Sequence, residues 1–248
     1  MEAGLTVGAA YPDPPFNAMP GDTGLDIELM TELAGALGES VEFEAYRGIE
    51  GSGCGDLDGI FDRLGAGGYD CVATGATVTP GRRRKAEFLA PYLISGQALA
   101  VDTGRRPHLH GVDDLAGLTL GVQRGHTGEP IAERLVAEGK AAKLRRYDRG
   151  ALGAAITDLS TGDCDAVMAL APVLTEAVKK VQRVSPGVQV VQRGLSVEHI
   201  AIAVAPADQT LARRLRDAQA ELEENGTLQR IRRKWLGNPY VDQSLGAL

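Results

Sequence analysis

The chain has 248 residues, which is enough for one large domain or for two lobes of ordinary size. Its 26 basic and 33 acidic residues give a net charge of −7, and an acidic chain without a basic patch is not expected to bind nucleic acid. Aromatic residues at 4% and three scattered cysteines argue against a glycan-stacking surface, a disulfide framework, a metal site or a cofactor held by cysteines.

The first part of the chain predicts alternating strands and helices. Residues 5–10 (LTVGAA) read as a strand, and residues 41–46 alternate between apolar and polar side chains as a second strand does. Between them, residues 25–37 carry leucines spaced four apart, which predicts a helix. Asp22 or Thr23 is expected to cap it. This order predicts an α/β layer of parallel strands, in which ligands bind beyond the carboxyl ends of the strands.

The segment from Tyr69 to Tyr92 places a strand, a polar loop and an arginine in sequence. Residues 71–73 form a short apolar run that is typical of a buried parallel strand. Residues 74–79 have small side chains, which leave backbone groups open to a ligand. Arg82 follows, and its planar guanidinium matches a carboxylate with two hydrogen bonds. We predict a carboxylate site at Arg82, and a solvated basic run for residues 83–85.

The middle of the chain predicts a second α/β segment. Residues 118–123 predict a strand that runs into a helix through the loop 124–129 (RGHTGE). Free N–H groups at a helix N-terminus attract anions, so this loop is a second candidate for binding a carboxylate. We expect Thr127 to contact the same carboxylate as Arg82. His126 is expected either at the surface or at the ligand.

The remaining segments predict a return to the first lobe. Residues 164–170 (CDAVMAL) read as a strand, and residues 200–205 (IAIAVA) read as the strand that leads back. Two apolar stripes, which end at Gly226 and Gly237, predict the closing helices. We expect Trp235 to be a core residue of the second helix, because an aromatic at helical spacing is more often buried than exposed to a ligand.

Several of these segments resemble one known family. The run GATVTPGR, followed by EFLAPY, resembles the central motif of the periplasmic polar amino-acid-binding proteins of ABC importers, the family 3 solute-binding proteins. Gly75, Thr77 and Arg82 fall on that motif's ligand positions. The resemblance therefore implies that these three residues bind the ligand.

The resemblance extends from Leu5 to Gly237. It includes the first helix, the LGVQRGHT segment of the second lobe and the closing NGTLQRIRRKWLG. It implies a type II periplasmic binding protein fold, with two Rossmann-like α/β lobes joined by a two-crossover hinge. Lobe 1 would comprise residues 1–93 and 196–248, and lobe 2 would comprise the inserted residues 94–195.

The resemblance also implies a function without chemistry. The protein would capture a small carboxylate-bearing ligand in the cleft between the lobes, close by hinge bending and deliver the ligand to the membrane permease of an ABC importer. We expect a monomer that needs no cofactor or metal. No signal segment and no apolar run near the roughly 18 residues that span a bilayer is visible, so a periplasmic or extracellular location, with or without a lipid anchor, rests on the resemblance.

Three positions depart from the family pattern, and the first is His126, which stands where the family has the first of two threonines. In the loop before Pro15, the family has an aromatic where this chain has Asp13, and Tyr11 is the alternative source of a stacking ring. In the strand after Asp165, the family has an Asp that pairs with the ligand's α-ammonium, and this chain has Leu170. Either Asp13 or Glu129 has taken over this role, or the ligand has no ammonium there; a misplaced alignment would also account for Leu170.

Two alternative functions share the predicted fold. Cyclohexadienyl dehydratases resemble these binding proteins, and an enzyme of that kind needs a positioned general acid in a pocket that excludes water. The candidates for such an acid are His126, Glu129, Glu176 and His199. The fold also serves as the extracellular ligand-sensing domain of receptors.

Overall fold

The computed structural model describes residues 4–10, 12–18, 23–46 and 57–238. These residues form two compact units. Unit 1 contains the described residues up to 94 together with residues 198–238, and unit 2 contains residues 95–197. The chain thus leaves unit 1 after residue 94 and returns at residue 198, where the sequence analysis placed these points at 93 and 196. The assignment of functional lobes stays a prediction.

Unit 1 begins with alternating strands and helices. Its first elements are β1 (Leu5–Ala9), α1 (Leu25–Leu37), β2 (Val41–Ala45), α2 (Gly59–Gly65), β3 (Cys71–Val72), α3 (Pro80–Arg83), β4 (Glu87–Phe88) and β5 (Leu93–Ser95). Leucines on one face of α1 are buried, as their spacing predicts. Helix α1 ends at Gly38, which has a φ of 72° and so adopts the left-handed conformation that glycine tolerates.

The start of α1 differs from the prediction. Gly24 occupies the N-cap position, and no side chain caps the helix, so Thr23 does not have the predicted role; Asp22 lies outside the described residues. Instead, the N–H groups of Leu25 and Asp26 donate to the carbonyl oxygens of Pro15 and Phe16, at 2.9 and 3.1 Å. A neighbouring loop therefore satisfies the open N–H groups of this helix end.

Unit 2 is a second α/β layer. Its elements are β6 (Gln97–Asp102), a 3₁₀ turn (Val112–Asp114), β7 (Thr119–Gln123), α4 (Gly128–Ala137), β8 (Lys143–Tyr147), α5 (Leu152–Thr161), β9 (Ala166–Leu170), α6 (Ala171–Val181) and β10 (Val188–Gln192). The sheet has the strand order β10-β6-β9-β7-β8, with β7 parallel to β8 and β9, and β6 antiparallel to β9 and β10. The carboxyl ends of β7 and β9 therefore lie at the same edge as the start of β6.

The chain then completes unit 1 with β11 (Glu198–Ile200), β12 (Ala203–Val204), α7 (Gln209–Glu224) and α8 (Thr227–Leu236). The strand predicted over residues 200–205 is wrong as a single element, because the chain changes partner within it. Strand β11 pairs with β5, whereas β12 pairs antiparallel with β3 and β4. The sheet of unit 1 has the order β2-β1-β3-β12-β4, and β1 lies parallel to β2 and β3. The predicted α/β class is confirmed.

The cysteines and Trp235 are two smaller features of the fold. Cys71 and Cys164 are buried free thiols, and Cys54 lies outside the described residues. The prediction that Trp235 is a core residue is wrong: its side chain is only partly buried, and its Nε1 donates to Glu28 Oε2 at 2.8 Å. Within the described ranges, no helix is long and apolar enough to cross a membrane.

Candidate functional site

The loop 74–79 follows the carboxyl end of β3 and belongs to unit 1. The buried Thr74 hydroxyl accepts the N–H of Ala10 at 2.9 Å, which ties this loop to the end of β1. Gly75 has a φ of 58°, and a Cβ there would lie 2.6 Å from the ring of Phe16. Only glycine allows both this conformation and this close approach. The loop therefore packs its backbone directly on the loop that precedes α1.

Arg82 is 4% exposed and is held from several sides. Thr79 caps α3 by accepting the backbone N–H of Arg82 at 3.2 Å. The guanidinium donates from Nε to Asp58 Oδ1 and from Nη1 to the carbonyl oxygen of Thr77, both at 2.8 Å. It also lies over the ring of Phe61, 5.5 Å from the ring centroid. The plane of the guanidinium is thus fixed by groups of unit 1.

Thr77 is buried and connects this loop to β11. Its Oγ1 donates to Glu198 Oε2 at 2.5 Å, and its backbone forms an isolated bridge with Ile200. Glu198 is itself buried. The sequence analysis did not single out Glu198. Its position at the start of an apolar strand, where a carboxylate needs a partner, was the available signal.

Asp26 is a second buried carboxylate that the sequence analysis missed. Its Oδ2 accepts the N–H of Gly75 and its Oδ1 accepts the hydroxyl of Tyr92, both at 2.6 Å. Burial raises the pKa of Asp26 to about 7, although both hydrogen bonds favour the ionised form, and the charge of Asp13 adds to the increase. The sequence feature that could have identified Asp26 is its place on the apolar face of α1, three residues before Leu29.

Burial and the neighbouring Asp26 carboxylate also raise the pKa of Tyr92 well above its ordinary value. The phenol of Tyr92 therefore stays protonated and donates to Asp26. Tyr92 closes the EFLAPY segment on which part of the family resemblance rests.

The loop before α1 contains Asp13, which stands where the family has an aromatic residue. The backbone N–H of Asp13 donates to the carbonyl oxygen of Asn17 at 2.8 Å, and the carbonyl oxygen of Asp13 accepts the N–H groups of Phe16 and Asn17. Asp13 is partly buried in this tight turn. Tyr11 lies outside the described residues. Which of Asp13 and Tyr11 contacts a ligand stays a prediction.

In unit 2, the loop after β7 leads into α4. The N–H of Gly125 donates to Glu129 Oε2 at 2.8 Å, and Glu129 Oε1 accepts Arg146 Nε at 2.7 Å. Burial opposes ionisation of Glu129, but these two partners outweigh it and hold its pKa below the usual value. The carboxylate of Glu129 therefore occupies this N-terminal end of α4 and takes the Gly125 N–H group.

Thr127 lies directly before α4 and contacts the start of β6. Its Oγ1 accepts Gln97 Nε2 at 3.1 Å. Gln97 is buried and stands opposite Leu170 in the pairing of β6 with β9. His126 is partly exposed, and its carbonyl oxygen accepts the N–H of Glu129. Unit 2 thus places both Thr127 and Leu170 next to Gln97, a residue that the sequence analysis did not select.

Leu170 ends β9 and is partly buried. Residues 166–175 contain no Asp or Glu, so an alignment shifted by several residues would not supply a carboxylate at this strand end. Asp165, which precedes the strand, accepts Arg106 Nε at 2.9 Å and the N–H of Thr119 at 2.8 Å. The missing carboxylate at the end of β9 is therefore a property of the segment and does not depend on the exact register.

Comparison with known families gives one match over nearly the whole chain. The family described as bacterial extracellular solute-binding proteins, family 3, matches residues 5–238. Among curated proteins, the L-cystine-binding protein TcyJ of Escherichia coli (strain K12) is 28% identical over 236 residues, which cover 94% of this chain and 82% of that protein.

Solved structures show the same similarity. An ancestral arginine-binding protein bound to arginine matches with a TM-score of 0.79 and 31% identity, and the match covers 94% of this chain and 97% of that one. An ancestral amino acid-binding protein, described as a precursor of cyclohexadienyl dehydratase, matches with a TM-score of 0.78 and 28% identity over 94% of this chain and 95% of that one.

Proposed function

Because the chain belongs to the bacterial extracellular solute-binding proteins of family 3, and is therefore a solute-binding protein, we propose that it captures a small carboxylate-bearing ligand for an ABC importer. The observation that carries this proposal is the buried guanidinium of Arg82. Asp58 and the carbonyl oxygen of Thr77 hold it in place. A pre-oriented planar donor suits a carboxylate and loses little entropy on binding.

The rest of the proposed site consists of groups that accept or donate hydrogen bonds. In unit 1, Gly75 and Thr77 belong to the loop 74–79, which leads into α3 and Arg82, and Asp13 belongs to the loop packed on it. In unit 2, Thr127 and His126 precede α4. We propose that these residues complete the contacts to the ligand.

The ligand class follows from the relatives and from Leu170. The relatives are named for cystine and arginine, which supports an amino acid or a modified amino acid. Leu170 provides no anion for an α-ammonium, and leaving a buried charge without its partner costs about 3–5 kcal/mol. Asp13 and Glu129 are the two candidate replacement carboxylates, and Glu129 pairs with Arg146. A ligand without an ammonium at this position, such as an organic acid, is the other option.

We propose capture without chemical conversion. Of the four candidate general acids, Glu129 is ion-paired and Glu176 lies 3.9 Å from Lys180, one turn along α6. His126 is partly exposed and His199 is exposed. The buried Asp26 has a raised pKa, but its side chain is fully enclosed. Incubation with prephenate and arogenate tests the dehydratase alternative, and turnover above background would favour it.

The partner and the location follow from family membership. Solute-binding proteins of this family deliver their ligands to ABC transporters, so we propose that a membrane permease is the partner and that the protein acts as a monomer. The family is extracellular. We propose a periplasmic or extracellular location for this protein, with or without a lipid anchor.

A melting-temperature screen tests the proposed function. The compounds are the twenty amino acids, cystine, modified amino acids and small organic acids, tested on wild type and on Leu170→Asp. A ligand at about 100 times its dissociation constant adds about 2.7 kcal/mol to the folded state. We expect at least one carboxylate to stabilise the wild type, and Leu170→Asp to shift the preference towards α-amino acids. Stabilisation by none of these compounds would contradict the proposal.

A further inference from the structure

The carboxylate of Asp26 joins three segments of unit 1. Asp26 lies in the first turn of α1, and its two oxygen atoms accept hydrogen bonds from Gly75 in the loop 74–79 and from Tyr92 near β5. Asp26 and Tyr92 are both 0% exposed. Asp26 itself is therefore enclosed, but it contacts the backbone of a loop that carries proposed ligand contacts.

The hydrogen bond to Gly75 acts at the point where the loop turns. Gly75 has a left-handed φ of 58°, and the ring of Phe16 packs against it. Thr77 lies two residues further along the loop. Its carbonyl oxygen accepts a hydrogen bond from Arg82 Nη1 at 2.8 Å. A change in the direction of the Gly75 peptide therefore moves the carbonyl oxygen that orients Arg82.

We propose that Asp26 is a positioning residue for ligand capture, which fixes the backbone of Gly75 and thereby holds the loop 74–79 in the conformation that orients Thr77 and Arg82. This inference rests on the proposed function of Arg82 as a carboxylate clamp. The role needs two acceptors, or one acceptor and one donor, at the position of the carboxylate. An Asn at position 26 meets this need, because its oxygen accepts the Gly75 N–H and its NH₂ donates to the Tyr92 oxygen.

The test compares Asp26→Ala with Asp26→Asn. Gln219→Ala is the matched control, because Gln219 is also a buried polar residue of unit 1, but it donates to the carbonyl oxygen of Ala90 and not to the loop. Hydrogen exchange of peptides that cover residues 73–79 is measured without ligand. Affinity is measured by calorimetry with L-arginine, or with the strongest compound of the screen where L-arginine does not bind.

We expect Asp26→Ala to increase exchange in residues 73–79 and to weaken binding, each by about tenfold or more, because two buried donors lose their acceptor. We expect Asp26→Asn to stay within about threefold of wild type in both measurements, since it keeps both hydrogen bonds. Gln219→Ala should leave exchange in the loop and affinity unchanged, even if it lowers the melting temperature.

Other outcomes would overturn the inference. Unchanged exchange in Asp26→Ala would show that the loop holds its conformation without the carboxylate. Equal impairment by Asn and Ala would assign the effect to the charge of Asp26 and not to its hydrogen bonds. If Asp26→Ala does not fold, Asp26→Leu replaces it; this variant fills the space of the carboxylate but removes both acceptors, and normal exchange and affinity in it would contradict the proposal. A loop that opens in Asp26→Ala, in a protein that binds no compound, would leave the role in loop conformation standing and reject the proposed function.

Discussion

Arg82 and the two arginines that follow it have different environments. Arg82 is buried and makes hydrogen bonds to Asp58 and to the carbonyl oxygen of Thr77, whereas Arg83 and Arg84 are exposed. The buried members of this network, Arg82 and Glu198, carry opposite charges, and each contacts Thr77. Thr77 therefore links the proposed clamp to a carboxylate through its backbone and its side chain.

The Thr77 hydroxyl should contribute to stability. Replacing Thr77 by Val removes the donor at 2.5 Å from Glu198 and keeps the shape of the side chain. We expect Thr77→Val to lower the free energy of unfolding by about 1–3 kcal/mol, because a buried acceptor loses a partner. Thr77→Ser retains the hydroxyl and should lose less. Denaturant unfolding measures both, and equal loss in the two variants would contradict a role for this hydrogen bond.

Single residues also show how far the sequence could predict the site. The motif and the chemistry of guanidinium were enough to select Arg82, Thr77 and Gly75 as candidates. Asp26 and Glu198 were not selected, because their partners, Gly75 and Thr77, lie 49 and 121 residues away in the chain. Contacts over such separations depend on the folded arrangement, which periodicity and composition do not encode directly.

Helix α4 has a negatively charged side chain at its N-terminal end. Glu129 lies in the first turn of α4, where a negative charge is favoured, and accepts both the Gly125 N–H and Arg146. Glu133, one turn later, accepts a hydrogen bond from Nη2 of the same arginine, whereas the Gly125 N–H donates to Glu129. The two glutamates thus share one arginine but differ in their contact with the loop.

Glu129→Ala should lower stability at neutral pH by up to about 1 kcal/mol, the usual contribution of a partly exposed ion pair. The folded-state pKa of Glu129 is lower than its ordinary value of 4.5, so its contribution is present above that value and is lost as the pH falls through the folded pKa. Unfolding at several pH values, with Glu133→Ala as the control, measures this. An effect of Glu129→Ala that persists at the lowest pH would contradict the assignment.

The start of α1 should show the opposite pH dependence. Burial raises the folded pKa of Asp26 to about 7 from an ordinary 3.8, and the ionisable groups that influence it are Tyr92 and Asp13. The contribution of Asp26 to the free energy of unfolding is complete below its pKa in the unfolded chain. It is lost as the pH rises through its pKa in the folded protein. Between about pH 4 and 7, wild type should therefore lose stability relative to Asp26→Asn, on the order of a few kcal/mol, and above that range the difference should level off. Parallel stability curves for the two proteins would contradict the raised pKa.

Element boundaries were the least predictable part of the fold. The helix over residues 25–37 was predicted from its leucine spacing, but its cap comes from carbonyl oxygens of Pro15 and Phe16, which no local motif specifies. Similarly, residues 200–205 have a continuous apolar pattern that hides the change of partner between β11 and β12. Local periodicity indicates the type of an element, whereas its ends depend on the neighbours that it meets.

At the scale of the whole molecule, the α/β class and the family were predicted correctly from motifs that are spread along the chain. The family match over residues 5–238 confirms this assignment. The ligand was not predictable to the same degree, because Leu170 departs from the pattern that would select an α-ammonium. The proposal that the two lobes close on a bound ligand stays a prediction, which X-ray scattering with and without ligand can measure as compaction.

The most direct test of the central claim is a calorimetric titration of the strongest compound from the screen into wild type, Arg82→Ala and Arg83→Ala. Arg83 is the matched control, because it is adjacent, carries the same charge and is exposed. We predict that Arg82→Ala, folded by circular dichroism, loses about 100-fold or more in affinity, since a ligand carboxylate then lacks its ionic partner in the site. Arg83→Ala should bind as wild type does. A folded Arg82→Ala protein with near-normal affinity would contradict the claim that Arg82 binds the ligand.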